Sequence, residues 1–222
     1  MKRWMKQWTT YLLLGVMLLP AAWAEMGDAV LQPVPPAIAT QLYNPQGNTI
    51  AGNPKGTVTL VEFFDYNCPF CRSLNPTIQK LIKKNPNLRV VYKEYLLFGD
   101  ASIPATSAAL AAAQQNKYLQ MHQALLTSKH PLTTAEVLNI AQSIGLDVQA
   151  FQKVMNSKAV QQQVVSNTAL AAKLNMGAAP AFIITRTQTA GQPSNANPQY
   201  LFLGSNNAEK NLQALINKAA KG

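Results

Sequence analysis

Cys68-Pro69-Phe70-Cys71 stands between two segments of opposite periodicity, and that junction constrains the fold more than any other feature of the chain. Before it, Val58 to Phe64 is a nearly continuous apolar run, the pattern of a central strand covered on both faces. After it, Leu74, Ile78, Leu81 and Ile82 recur at helical spacing up to a stop near Asn85-Pro86. Leu88 to Tyr95, with Val90, Val91 and Tyr92, reads as the next strand, so the unit is strand, helix, strand with a right-handed parallel crossover. A bridge between the cysteines would close a loop of four residues, worth only roughly 2 kcal/mol of chain entropy. Stability is a poor reason for the pair. At a helix N-terminus, unpaired N–H groups and the positive end of the helix dipole favour a thiolate. Cys68 is therefore the expected attacking sulfur and Cys71 the resolving one.

Lys2, Arg3 and Lys6 precede the apolar stretch Tyr11 to Leu19, and Ala22-Trp23-Ala24 places small residues where a signal peptidase reads. Residues 1–24 are expected to be a cleaved leader, because the apolar stretch falls short of the ~20 residues that span a bilayer. Export to an oxidising compartment suits a disulfide cycle better than a cytosolic thioredoxin role. The leader takes three of the 19 Lys and Arg, leaving 16 against nine acidic residues. Such an excess points to nucleic acid or an anionic membrane surface. The cations are scattered, however, and the fullest stripe, Arg72, Lys80, Lys83 and Lys84, reads as a solvated helix face. Neither nucleic acid nor a metal is expected. With two cysteines and only His122 and His130 beside them, the C-x-x-C is half a zinc site at best.

Residues 25–50 carry Pro33, Pro35, Pro36 and Pro45, which forbid a long helix and predict an extended arm. Residues 101–175 turn to Ala, Gln, Leu and Met without alternation. They predict helices over 102–114, 117–128, 134–144, 147–155 and 158–174, with breaks at His130-Pro131 and Gly145. Thr133 with Glu136 is a capping-box signature, and Asp147 fits a cap for the fourth of these helices. After Gly177-Ala178-Ala179-Pro180 come a strand from Ala181 to Thr185, a polar loop from Arg186 to Pro198, a strand from Tyr200 to Leu203, and a helix with Ala208, Leu212, Leu215 and Ile216 on one face. This order predicts an α/β, thioredoxin-like domain built from residues 51–100 and 176–222, with an all-helical insertion over 101–175.

The stretch from Gly52-Asn53-Pro54 through Val61-Glu62-Phe63-Phe64-Asp65-Tyr66-Asn67-Cys68-Pro69-Phe70-Cys71, the helical middle and Ala179-Pro180-Ala181-Phe182 resemble the DsbA family of exported thiol-disulfide oxidoreductases, most of all its Com1-like branch. The resemblance covers about Tyr43 to Gly222. It implies a thioredoxin fold, disulfide exchange with exported proteins in the periplasm, and a cis Pro180 beside the cysteines. It also implies reoxidation by a quinone-linked membrane partner of DsbB type, with no cofactor beyond the Cys68-Cys71 disulfide. Glu62 is a lone carboxylate in an apolar strand; burial would raise its pKa and let it exchange a proton near Cys71. The resemblance places the family's buried acid here; on the residues alone, emergence of Glu62 at the wet edge of the sheet is the alternative. Ala179 stands where relatives often have Thr or Val, which keeps main-chain pairing with substrate but drops a side chain. Pro69-Phe70 replaces the Pro-His of strongly oxidising members. Phe70 holds no charge, so the reduced state is less favoured, and its ring either contacts unfolded substrate or packs on the helical cap. Asp65 is expected to be structural, capping the active-site helix or the turn before it.

The function expected is transfer of the Cys68-Cys71 disulfide to reduced, folding secreted proteins through a mixed disulfide. A reductase or isomerase kept reduced by a membrane partner is the alternative. That role often needs a dimer, and the short arm predicts a monomer. From another class, a non-catalytic envelope binder would use its cap for a partner or its two thiolates for Cu(I). Met121 and Met155 read as core filler, and nothing pairs His122 or His130 with a nucleophile.

Overall fold

The computed structural model describes residues 29–30, 36–43, 49–187, 199–203 and 207–221. The expected leader, residues 1–24, and the polar loop beyond Thr187 lie outside the described residues. The apolar run forms β3 (Val58–Phe64), preceded by β1 (Ala29–Val30), α1 (Pro36–Tyr43) and β2 (Ile50–Gly52). Then come α2 (Pro69–Lys84) and β4 (Leu88–Glu94), with β3 and β4 parallel as the crossover rule requires. All seven residues of β3 are buried, in keeping with its place inside the sheet order β1-β6-β5-β3-β4-β2. Its other neighbour is the hairpin of β5 (Ala181–Arg186) and β6 (Gln199–Leu203).

The arm is not extended throughout. Pro36 occupies the first position of α1, where its missing N–H leaves no intrahelical bond unmade. Leu42 and Tyr43, both fully buried, then seat the helix on Val61, Phe63 and Val91. β4 also departs from its apolar reading, because Arg89, Lys93 and Glu94 are buried within it. The ammonium of Lys93 donates to the Gln41 carbonyl at 2.6 Å, and the Tyr118 hydroxyl donates to Glu94 Oε1 at 2.5 Å. Hydrogen bonds of this kind make a buried charged side chain tolerable.

The insertion consists of α3 (Ile103–Ala113), α4 (Tyr118–Thr127), α5 (Thr134–Ser143), α6 (Val148–Met155) and α7 (Lys158–Lys173), each within a few residues of its sequence assignment. Small side chains let α3 act as the hub, packed by α4, α5, α6 and α7. The caps follow the sequence in part. Asp147 Oδ1 accepts from the Ala150 N–H at 3.0 Å and Thr133 Oγ1 from the Glu136 N–H at 3.3 Å. Glu136 does not return the bond to Thr133; its carboxylate accepts from Ser128 Oγ at 3.0 Å, so only half of the predicted box forms.

One face of the sheet carries Leu60, Phe64 and Tyr92 against α2, α4 and the closing helix α8 (Ala208–Lys221). Where sheet and insertion meet, Phe64, Tyr66, Tyr92 and Tyr118 surround His122, whose ring lies 4.2 Å from that of Tyr92. Burial pulls the His122 pKa down to about 3, so the imidazole is neutral and meets the Tyr66 hydroxyl through Nδ1 at 3.1 Å. His122 belongs to the core, as do Met121 and Met155.

Candidate active site

β3 ends at Phe64, and a three-residue turn delivers the chain to Cys68, which is itself the N-cap of α2. The Cys71 N–H points at Cys68 Sγ at 3.4 Å, and Pro69 fills the first helical position with its preset φ. Asp65 is therefore not the helix cap. Its Oδ1 accepts from the Asn67 N–H at 2.8 Å. Its Oδ2 accepts from the Leu97 and Phe98 N–H groups at 2.9 and 3.2 Å and from Ser102 Oγ at 2.6 Å. Asn67 Nδ2 adds a bond to the Ala101 carbonyl at 2.8 Å. Together the two side chains clamp the cysteine turn to the segment that leads into the insertion. Asp65→Ala strands buried donors and is expected to cost about 2 kcal/mol in urea unfolding. An unchanged unfolding midpoint would show that the clamp contributes nothing.

Cys68 and Cys71 are free thiols with 2% and 1% of their surface exposed. The Cys71 thiol, donating to Cys68, draws the Cys68 pKa down to about 6 against the opposing effect of burial, and the Cys71 and Phe70 N–H groups add to the lowering. The same hydrogen bond, seen from Cys71, holds that thiol well above the usual range, and burial pushes it further up. One sulfur is thus prepared to be a thiolate at neutral pH and the other to keep its proton. Glu62 lies on the face of β3 that looks toward α2; it is buried, and that burial raises its pKa to about 8. Its charge is felt at Cys71, where it raises the thiol pKa further. The wet-edge reading of Glu62 does not hold in this fold, since β3 is flanked by β4 and β5.

The Ala179–Pro180 peptide is cis, and the Ala179 carbonyl lies 3.5 Å from Cys68 Sγ. Gly177 and Ala178, just before it, are exposed, as is Phe70 at 74%. Phe70 therefore does not pack on the helical cap. Of the residues singled out in the sequence, the fold gathers Cys68, Cys71, Glu62, Pro69, Phe70, Ala179 and Pro180 around one sulfur pair. Arg72 leaves the solvated stripe, whereas Lys80 stays exposed on it. Arg72 donates to the Tyr66 carbonyl at 3.3 Å, to that of Leu125 at 3.2 Å and to that of Ser128, while Lys80 pairs with Glu209 at 2.8 Å. The bond from the Asn67 N–H fits the expected structural role of Asp65 at the turn. Its bonds to Leu97, Phe98 and Ser102, and those of Arg72 to Leu125 and Ser128, were missed by sequence reasoning because these partners lie 30 to 60 positions away. Among the described residues no group of three or more His, Cys, Asp or Glu side chains is arranged to hold a metal ion.

A solved thioredoxin-like oxidoreductase from Silicibacter pomeroyi is 36% identical and superimposes with a TM-score of 0.70, covering 82% of this chain and 98% of its own. The thiol-disulfide exchange protein α-DsbA2 from Wolbachia pipientis, 24% identical, shares the fold with a TM-score of 0.69 over 82% of this chain and 91% of its own. A curated sequence relative, the Na(+)/H(+) antiporter NhaA 3 of Salinispora tropica, is 26% identical over 144 residues, which cover 64% of this chain. The match spans only 22% of that longer protein. A strand, a C-x-x-C at a helix N-terminus and a cis proline against the first sulfur define a thioredoxin-like domain with a helical insertion. Residues 59–210 match the model of the DSBA-like thioredoxin domain, and the chain belongs to that family.

Proposed function

We propose that the protein is an exported thiol-disulfide oxidoreductase that donates its Cys68–Cys71 disulfide to reduced proteins. The observation that carries this reading is the asymmetry of the pair: Cys68 with its pKa lowered to about 6 beside the Ala179 carbonyl, and Cys71 held protonated behind it. A substrate thiolate attacks Cys68 Sγ, the Cys68–Cys71 bond breaks, and its electron pair leaves on Cys71. Glu62 supplies the proton that Cys71 takes up. The second substrate thiolate then attacks the substrate sulfur of the mixed disulfide and expels Cys68 as a thiolate. The substrate dithiol is oxidised and the protein is reduced. The main chain of Ala179 pairs with the substrate backbone, and Phe70, exposed beside the sulfur, meets its apolar side chains.

In this reading residues 1–24 direct export to the periplasm, the chain works as a monomer, and a quinone-linked membrane partner of DsbB type restores the disulfide. Among the described residues no helix is long and apolar enough to cross a membrane. One observation favours a second reading, a reductase or isomerase: Phe70 cannot lend a positive charge to Cys68, which leaves the thiolate less stabilised than an imidazole would. The direction of transfer is tested by mixing the oxidised protein with a reduced, unfolded two-cysteine substrate under anaerobic conditions. The donor reading expects one substrate disulfide per protein molecule. Transfer only in the opposite sense, from oxidised substrate to reduced protein, would reject it.

A further inference from the structure

The end of the sheet opposite the cysteines gathers positive charge from separate segments. α2 closes with Lys83 and Lys84 beside its C-cap Asn85, and Asn85 Nδ2 bonds Gln213 Oε1 of α8 at 3.0 Å. The last turn of α8 carries Lys218 and Lys221. Arg186, at the end of β5, donates to the Ala220 carbonyl at 3.3 Å, which joins that helix end to the sheet. Lys55 sits in the turn between β2 and β3, whose Asn53 N–H bonds the Leu88 carbonyl at 2.9 Å just after α2. All six cations are exposed. Lysines at helix C-termini also complement the helix dipole. Lys55 and Arg186 lie on no helix end, and they complete the patch.

The acidic side chains among the described residues lie elsewhere in the fold. Glu62, Asp65, Glu94 and Asp100 belong to the cysteine end of β3 and β4, Glu136 and Asp147 to the insertion, and Glu209 is paired with Lys80. The sequence from Gln188 to Pro198, which follows Arg186, contains no charged residue. Among the described residues, the exposed large apolar side chains, Phe70, Phe98, Ile103, Leu119 and Val165, are on the cysteine side or on the insertion. Among the residues whose side chains are described, the pole thus has charge without an apolar anchor and without an exposed aromatic ring to stack on nucleic-acid bases.

We propose that this pole docks the protein electrostatically on an anionic phospholipid surface, with the dithiol turned away from the lipid. The 16 residues of α2 hold Cys68 roughly 24 Å from the patch, facing soluble partners. The proposal goes beyond the exchange reading and does not depend on it. Lysines act here as hydrated point charges, and their attraction to phosphate headgroups sums over the patch and is screened by salt.

The test sediments the protein recovered from the envelope of an expressing bacterium with vesicles of phosphatidylcholine alone or with about one-third phosphatidylglycerol. Binding is expected only to the anionic vesicles at about 0.05 M salt and is expected to be lost by about 0.5 M. The variant K83E/K84E/K218E/K221E is expected to bind at least about tenfold more weakly with its thiol-exchange rate unchanged. The double variants K83E/K84E and K218E/K221E carry the same comparison with a smaller loss, should the fourfold variant misfold. Equal binding to neutral vesicles, charge-swap variants that bind like the parent, or equally tight retention on a double-stranded oligonucleotide at the same salt would overturn the lipid assignment.

Discussion

Cys68→Ser is expected to abolish thiol-disulfide exchange, a loss of about a thousandfold or more, whereas Cys71→Ser is expected to react once and stall. The difference follows from the geometry. Cys68 is the sulfur with the lowered pKa at the helix N-terminus, so without it no mixed disulfide forms. Cys71 is the sulfur that breaks such an intermediate from behind, so its serine variant still attacks an oxidised substrate but cannot release itself. Acid quenching followed by thiol alkylation and intact mass separates the outcomes. An accumulated substrate adduct is expected on Cys71→Ser and none on Cys68→Ser. Adducts on Cys68→Ser and none on Cys71→Ser would reverse the assignment of the two sulfurs.

Glu62→Gln is expected to stabilise the protein and slow it at once. Burial raises the Glu62 pKa from 4.5 to about 8. Between these values the native chain holds a proton that the unfolded chain has released. The unfolded state therefore binds fewer protons, and stability falls as pH rises through this window, levelling off above about 8. At pH 7 the cost is roughly 3 kcal/mol. Glutamine removes the titration, so the variant should gain most of that amount at pH 7 to 8 and nothing below about pH 4.5. Glu94, raised by its own burial to about 7, adds the same slope in both proteins over the narrower window from 4.5 to about 7. Glutamine cannot supply a proton to Cys71, and turnover is expected to fall by about a hundredfold. Urea titrations at several pH values, beside stopped-flow exchange rates, read both effects. Equal stability of parent and variant across pH 5 to 8 would show that Glu62 is not held neutral by the fold.

The β3, α2, β4 unit was legible because its pattern is local. A continuous apolar run, a cysteine pair and a helical repeat follow one another within 40 residues, and the parallel crossover has one favoured hand. The helices of the insertion were legible through capping residues and breakers such as Asp147 and Gly145. α1 was not, since prolines at 33, 35 and 36 read as breakers, and only the burial of Leu42 and Tyr43 against the sheet favours a helix there. The site divides in the same way. The cysteines and their acid declare themselves by spacing along one strand. Asp65 did so only in part: its turn bond to Asn67 is local, but its other oxygen is explained by N–H groups at Leu97 and Phe98. Arg72 looked like one more surface cation until the carbonyls of Leu125 and Ser128 closed around it. Charge converging from separate segments, as at the pole of Lys55, Lys83 and Arg186, is invisible along the chain for the same reason.

The reduction potential of the Cys68–Cys71 couple, followed by thiol trapping in glutathione buffers, tests the disulfide-donor account most directly. A Cys68 pKa of about 6 falls between roughly 7 for thioredoxin and 3.5 for DsbA, the reference reductant and oxidant. A lowered thiolate pKa favours the reduced state, so the couple is expected to be more oxidising than thioredoxin at about −270 mV. A value clearly above that of thioredoxin supports disulfide donation. A value at or below about −270 mV would contradict it and leave a protein built to reduce.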